Sequence, residues 1–177
     1  LVESFFQSME MDLEPETYDN NLYNKYIYGS AEVVGLMCLK VFTKGNEVQY
    51  QNLKPSAMKL GSAFQKVNFL RDIEYDNSNL GRTYFPNIDL EKITTRQKND
   101  IIADIEKDFD EALSGLKKLD QDSFFGVFIA YKYYKELLNK MKKVNMERLR
   151  EDRIRVSNFK KISLIVNSLI RLNLRLL

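Results

Sequence analysis

Three oxygen-bearing side chains recur at a spacing of four in the segment NFLRDIEYD, residues 68–76: Asn68, Asp72 and Asp76. Residues four apart lie on nearly the same face of an α-helix, so a helix here would align all three. Two carboxylates on one face repel each other unless a cation joins them. The column predicts a magnesium site, because Mg²⁺ prefers oxygen ligands and completes its shell with waters and substrate phosphates.

Arg71 adjoins the middle carboxylate of this column. A planar guanidinium binds phosphate oxygens with two parallel hydrogen bonds, so Arg71 is predicted to bind a phosphate next to the metal. The competing interpretation is a solvated helix face whose acids pair with local lysine or arginine. The preceding residues, GSAFQKVNFL, are small and apolar and favour a buried face instead.

Composition excludes several classes of function. The 177 residues contain no histidine, which excludes Ser-His and Cys-His nucleophiles and the usual imidazole zinc sites. A net charge of +2 gives no indication of nucleic-acid binding. Cys38, in the apolar run VVGLMCLKVF, is predicted to be a small buried side chain. A single cysteine and no recognisable signal peptide favour a reducing, cytoplasmic location.

Helical periodicity predicts an all-α fold of one packed bundle, with few glycine or proline interruptions. Pro55 is expected to kink a helix or to begin one, and Asp122 or Ser123 to cap another. A long loop is predicted between residues 77 and 94, where asparagine, glycine and proline cluster. The predicted helices cover residues 1–9, 21–42, 47–75, 95–118, 121–143 and 158–176.

The chain resembles the squalene and phytoene synthases in three linked blocks. The segment AFQKVNFLRDIEYDNSNLGRTYFP resembles the second aspartate-rich region of that family. The segment YIYGSAEVVGLM resembles its Y-x-Y-x-x-A-x-x-V-G-x-M helix, and MEMDLE resembles its M-D-L segment. The blocks occur in the family's order and spacing. The resemblance extends from near residue 1 to at least residue 160 and is greatest to bacterial phytoene synthases.

The resemblance implies an all-α isoprenoid synthase that joins two prenyl diphosphates head to head through a cyclopropyl intermediate. It assigns Asn68, Asp72 and Asp76 to Mg²⁺, or Mn²⁺ in its place, and gives the remaining positions roles around the substrate. Arg71 and Arg82 would bind diphosphate oxygens, Tyr84 would support their loop, Gln65 would line the pocket, and Tyr26 and Tyr134 would lie near the reacting carbons. Gly35 would allow two helices to approach closely.

The chain departs from the family in one respect. The family has two aspartate-rich motifs on facing helices, and the first would precede Leu1; Asp12, Asp19 and Glu32 do not form a second one. Residues 1–177 are therefore expected to be one all-α domain that is the C-terminal part of a larger synthase domain, inactive when isolated.

The substrate is expected to be geranylgeranyl diphosphate, giving phytoene for carotenoid synthesis. The alternatives are farnesyl diphosphate, giving squalene or dehydrosqualene, with NADPH needed only for squalene, and a non-catalytic relative that keeps the fold. The oligomeric state stays open.

The C-terminal region allows two interpretations. The basic segment RIRVSNFKK, residues 153–161, would lie near the diphosphate, lie at a membrane surface, or form a solvated turn. The following helix, ISLIVNSLIRLNLRLL, would close the bundle or rest on a bilayer, which makes peripheral association with the inner membrane surface a further expectation.

Overall fold

The computed structural model describes residues 1–13, 18–86, 88–89 and 92–173, and in these residues the predicted all-α fold is confirmed. The described residues form nine α-helices and one π-helical turn. The helices are α1 (Val2–Glu10), α2 (Asn20–Ile27), α3 (Val33–Phe42), α4 (Glu47–Arg71), α5 (Ile73–Leu80), α6 (Thr95–Leu116), α7 (Gln121–Lys143), α8 (Met146–Glu151) and α9 (Asn158–Asn173), and the π-helical turn is Tyr28–Glu32.

Several predicted boundaries were wrong. The helix expected over 47–75 breaks at Asp72, whose φ of −101° and ψ of 12° are not helical, and α5 extends into the predicted loop until Gly81 ends it at a φ of 64°. Pro55 lies inside α4 rather than at its start. Asp120, not Asp122 or Ser123, is the N-cap residue of α7. The predicted end of the last helix, beyond residue 173, lies outside the described residues.

The central element is α4, which packs along α6 on one side and along α3 on another. The side chain of Asn46 begins α4 by accepting a hydrogen bond from the Gln49 amide at 3.0 Å. Thr94 and Gln97 begin α6 with a reciprocal capping box. A side chain therefore satisfies one of the free first-turn amide groups of each long helix, which defines where each helix begins.

A buried ionic network joins α4 to α6. Asp108, 1% exposed, accepts hydrogen bonds from Lys59 at 2.8 Å, Ser62 at 3.0 Å and Lys66 at 2.7 Å. Lys66 also donates to the more exposed Asp104 at 2.5 Å. Since the buried carboxylate has three donors from α4, desolvation of its charge is compensated and the two helices are held antiparallel.

Close backbone approach joins α3 and the π-helical turn to α4. A Cβ atom added to Gly35 would lie 2.7 Å from the carbonyl oxygen of Ala57, and one added to Gly61 would lie 2.5 Å from that of Ala31. The close approach expected at Gly35 is therefore present, and Gly61 provides a second one. The π-helical turn places Ala31 against α4; such turns occur mostly as single insertions in α-helices and are frequent at functional sites.

Replacing Gly61 with alanine is expected to destabilise the fold by about 2 kcal/mol, because the new methyl group meets backbone that cannot rotate away. The measurement is the free energy of unfolding in urea. Gly126, inside α7, is the matched control position, since a Cβ there meets nothing within 4 Å and its φ is not positive. Equal stability of the wild type and the Gly61→Ala variant would contradict the close approach of α4 to the π-helical turn at Ala31.

Candidate functional site

The aspartate column lies at the junction of α4 and α5. Main-chain hydrogen bonds of 2.9 Å run from the Asp72 amide to the Asn68 carbonyl and from the Asp76 amide to the Asp72 carbonyl. The break at Asp72 therefore leaves the spacing of four residues intact. The prediction of one unbroken helix was wrong, but successive members of the column still follow each other at the helical interval.

The two carboxylates of the column differ in their electrostatic environment. Asp72 accepts from Arg71 at 2.5 and 3.0 Å and pairs with Arg153 at 2.7 Å. Burial alone would raise the pKa of Asp72, but the hydrogen bonds from Arg71 and Arg153 outweigh it and lower that pKa. Burial and the charge of Asp72 raise the pKa of Asp76 to about 6, and within the described residues the Asp76 carboxylate has no hydrogen bond or ion pair.

Asn68 supplies the observation that bears most directly on a metal. Its side-chain oxygen is buried and has no hydrogen-bond partner among the described residues. An unsatisfied buried acceptor is costly unless a ligand or ion completes it. With the free carboxylate of Asp76 and the carboxylate of Asp72, the donor set is three oxygens of the type that Mg²⁺ binds. The chemical type of these donors fits the ion, although no group of three His, Cys, Asp or Glu side chains meets in the part described.

Arg82 and Asp12 form a second charged unit beside the column. Arg82 pairs with the Asp12 carboxylate at 3.2 Å and donates to the Asp12 main-chain oxygen. The buried Nε of Arg82 has no hydrogen-bond partner among the described residues. The Arg82 amide donates to the carbonyl of Asp76 at 2.9 Å, which ties this unit to the column. Arg82 therefore lies next to the aspartates with one buried N–H that no described residue satisfies.

Tyr26 and Tyr84 are buried beneath Arg82. The hydroxyl of Tyr26 donates to Asp12 at 3.0 Å, and Tyr84 stacks on Phe69 with a ring separation of 4.0 Å. The Tyr84 hydroxyl accepts a hydrogen bond from Arg82 at 3.5 Å, and its support of this loop stays a prediction. Tyr26 contacts these aromatic rings and does not line the apolar cavity between α3, α4, α6 and α7, so its catalytic role stays a prediction.

An apolar cavity of about 580 Å³ lies between α3, α4, α6 and α7. Gln65, one turn before Asn68, lines it beside the ring of Phe64, and its role in a substrate pocket stays a prediction. Tyr134 stacks on that ring at 4.1 Å. Cys38 also lines the cavity and is exposed, so the prediction that it is buried was wrong. The sequence of α3 is apolar on most sides because one side of the helix packs on α4 and another faces the cavity.

Sequence reasoning left two residues of this site without a role. Asp12 belongs to the MEMDLE block but was considered only as a metal ligand, whereas in the structure it pairs with Arg82. Arg153 lies in the basic segment whose position was left open, and its contact with Asp72 places the start of that segment at the column. The sequence could not identify Arg153 as the residue that contacts Asp72, because the segment contains four cationic side chains.

The last helix closes part of the bundle and leaves an apolar face exposed. α9 packs against α7 and buries Ser168, while Phe159 is 84% and Ile162 61% exposed. No helix among the described residues is long and apolar enough to cross a bilayer. Association of this face with a membrane surface stays a prediction.

Comparisons with known proteins agree with this architecture. The family model for squalene/phytoene synthase matches residues 1–160. The crystal structure of a dehydrosqualene synthase in complex with ligand matches with a TM-score of 0.77 and 21% sequence identity over 96% of this chain, which shows a shared fold. The chain spans 64% of the length of that structure. A comparison with curated proteins returns no match.

Proposed function

Because the chain belongs to the squalene/phytoene synthase family, we propose that the complete protein is a magnesium-dependent prenyltransferase. It condenses two molecules of geranylgeranyl diphosphate head to head, through a cyclopropyl diphosphate, to give phytoene. The unpaired buried oxygen of Asn68, in register with Asp72 and Asp76, carries this proposal. A metal-bound diphosphate at this column would have the apolar cavity for its hydrocarbon chain.

The polar end of the site is suited to releasing the diphosphate. Asn68, Asp72 and Asp76 would hold magnesium, which when bound neutralises the charge that develops on the leaving group. Arg71 and Arg82 would donate to diphosphate oxygens as the allylic carbon–oxygen bond breaks and its electron pair leaves with the diphosphate.

The apolar end is suited to protecting the resulting carbocation. The sequence contains no histidine that could remove a proton, and the cavity walls are mainly aliphatic and aromatic. An aromatic face stabilises a desolvated cation by about 2 kcal/mol. The ring of Phe64 in the cavity wall and the ring of Tyr134 stacked on it would stabilise the carbocation near Gln65. Tyr26 would contribute through its hydrogen bond to Asp12.

Farnesyl diphosphate is the second candidate substrate, with dehydrosqualene or squalene as product. It is supported by the matching solved structure, which is a dehydrosqualene synthase. The length of the cavity supports the longer substrate: its wall on α4 runs from Leu53 to Gln65, a rise of about 18 Å. That length suits an extended chain of four isoprene units.

The test is to express the complete reading frame and supply Mg²⁺ with geranylgeranyl or farnesyl diphosphate, each with and without NADPH. The hydrocarbon extract is identified by mass spectrometry. We expect a forty-carbon product from geranylgeranyl diphosphate without NADPH. A thirty-carbon product would instead establish the second candidate. A folded protein that forms neither product would be a non-catalytic relative, and the proposal would be wrong.

A further inference from the structure

Four glycines line the apolar cavity, and one of them differs from the rest. A Cβ atom added to Gly35, Gly61 or Gly115 would lie within 2.4 to 2.7 Å of a neighbouring atom, so these three are required for close packing. A Cβ added to Gly126 would meet nothing within 4 Å. Packing therefore explains the first three glycines and leaves Gly126 unexplained.

Backbone conformation does not explain Gly126 either. It lies well inside α7, and its φ is not among the positive values that favour glycine. Glycine in a helix interior is less stable than alanine, because it loses more conformational freedom on folding. Gly126 is exposed and lines the cavity, so what the absent side chain provides is open space where the cavity meets solvent in the described part of the chain.

Contacts along the helices show at which end of the cavity Gly126 lies. At the start of α7, Asp122 pairs with Lys44 at 3.0 Å, just before α4 begins. Further along α7, Tyr134 stacks on Phe64, one turn before Asn68 on α4. Thus α7 runs parallel to α4, and Gly126 lies in the half of the cavity remote from the aspartate column.

We propose that Gly126 determines how long an isoprenoid chain the cavity admits. This inference rests on the proposed function, which places the diphosphate at the aspartate column and the hydrocarbon tail in the cavity. A side chain at position 126 would project into space that the terminal isoprene unit of the longer substrate needs. The groups that hold the diphosphate would be unaffected, because none of them contacts this position.

The experiment compares the complete wild-type protein with its Gly126→Leu and Gly126→Ala variants. Calorimetry with Mg²⁺ measures the dissociation constants of the unreactive geranylgeranyl and farnesyl thiodiphosphates. We expect Gly126→Leu to weaken binding of the twenty-carbon analogue at least tenfold and that of the fifteen-carbon analogue less than threefold. Gly126→Ala should bind both nearly as the wild type does and melt at a higher temperature.

A matched control adds a leucine to the same helix away from the cavity, at the exposed Asn139, and should leave both constants unchanged. Should Gly126→Leu fail to fold, Gly126→Met, with a flexible unbranched chain, is expected to give the same selective loss. The inference alone is wrong if the wild type binds both analogues and Gly126→Leu leaves the ratio of their two dissociation constants unchanged. A wild type that binds neither analogue would overturn it together with the proposed function.

Discussion

Replacing Asp76 with asparagine in the complete protein is expected to lower turnover of the prenyl diphosphate about a thousandfold, the upper range for losing one group that stabilises charge in a transition state. Asp72 is already paired with Arg71 and Arg153, so Asp76 is the carboxylate without a protein partner in the part described. Its loss would remove the ligand most available to the ion. The measurement is kcat at saturating Mg²⁺.

Magnesium-dependent stability separates this effect from damage to the fold. An ion present at a hundred times its dissociation constant stabilises the folded state by about 2.7 kcal/mol. We expect Mg²⁺ to raise the melting temperature of the wild type and to leave that of the Asp76→Asn variant unchanged. Without the ion the variant should be no less stable, because an unpaired carboxylate is removed from beside Asp72.

Glu74→Gln is the matched control, since it removes a carboxylate from the same short helix. Glu74 accepts a hydrogen bond from the Ser78 hydroxyl and lies off the column. Its substitution should change neither turnover nor the response to Mg²⁺. A fully active Asp76→Asn variant would show that the column is only a structural feature of the α4–α5 junction.

The Asp108→Asn substitution is expected to destabilise the protein by about 3 kcal/mol, the lower end for breaking a buried ion pair, because Lys66 keeps Asp104 as a partner. The free energy of unfolding in urea at pH 7 measures this. Asp104→Asn is the matched control: its side chain is 57% exposed, and the loss should stay below about 1 kcal/mol. Equal effects of the two substitutions would contradict the central role given to Asp108.

The same carboxylate predicts how stability depends on pH. Burial alone would raise the pKa of Asp108, but hydrogen bonds from Lys59 and Lys66 outweigh it and lower that pKa below the ordinary value of 3.8. The unfolded chain therefore binds the proton more readily, and the stabilisation is complete above about pH 4 and lost as pH falls through the folded pKa. Urea unfolding of the wild type between pH 3 and 7 should show this decline. The Asp108→Asn variant should show a smaller one.

Helical periodicity was enough to predict the fold class and the long helices, because an apolar stripe with a polar opposite face is a strong local signal. The break at Asp72 and the π-helical turn were missed, since each changes the backbone at one or a few residues without altering the residue pattern. The exposed Cys38 was missed for a different reason. An apolar cavity selects the same residue types as a core, so hydrophobicity alone does not separate the two.

The column itself could be predicted from residue type and spacing, but the pairing within it could not. Arg71 adjoins Asp72 in sequence, whereas Arg153 reaches it from 81 residues away. Asp12 reaches Arg82 across 70 residues. Contacts of this kind depend on how helices cross in three dimensions, and a single sequence contains no local signal for them. The difference in ion pairing and in the direction of the pKa shift between Asp72 and Asp76 therefore arises only in the folded protein.

The position of α4 has a consequence for how such proteins diverge. One helix carries Asn68, the lysines that bind Asp108, the close contact at Gly61 and a wall of the cavity. A substitution that moves α4 disturbs several of these at once, so few are tolerated. By contrast, position 126 of α7 lines the cavity without a packing constraint, because a Cβ there would meet nothing within 4 Å. A change of substrate range is therefore expected to need fewer compensating substitutions at position 126 than anywhere along the cavity wall on α4.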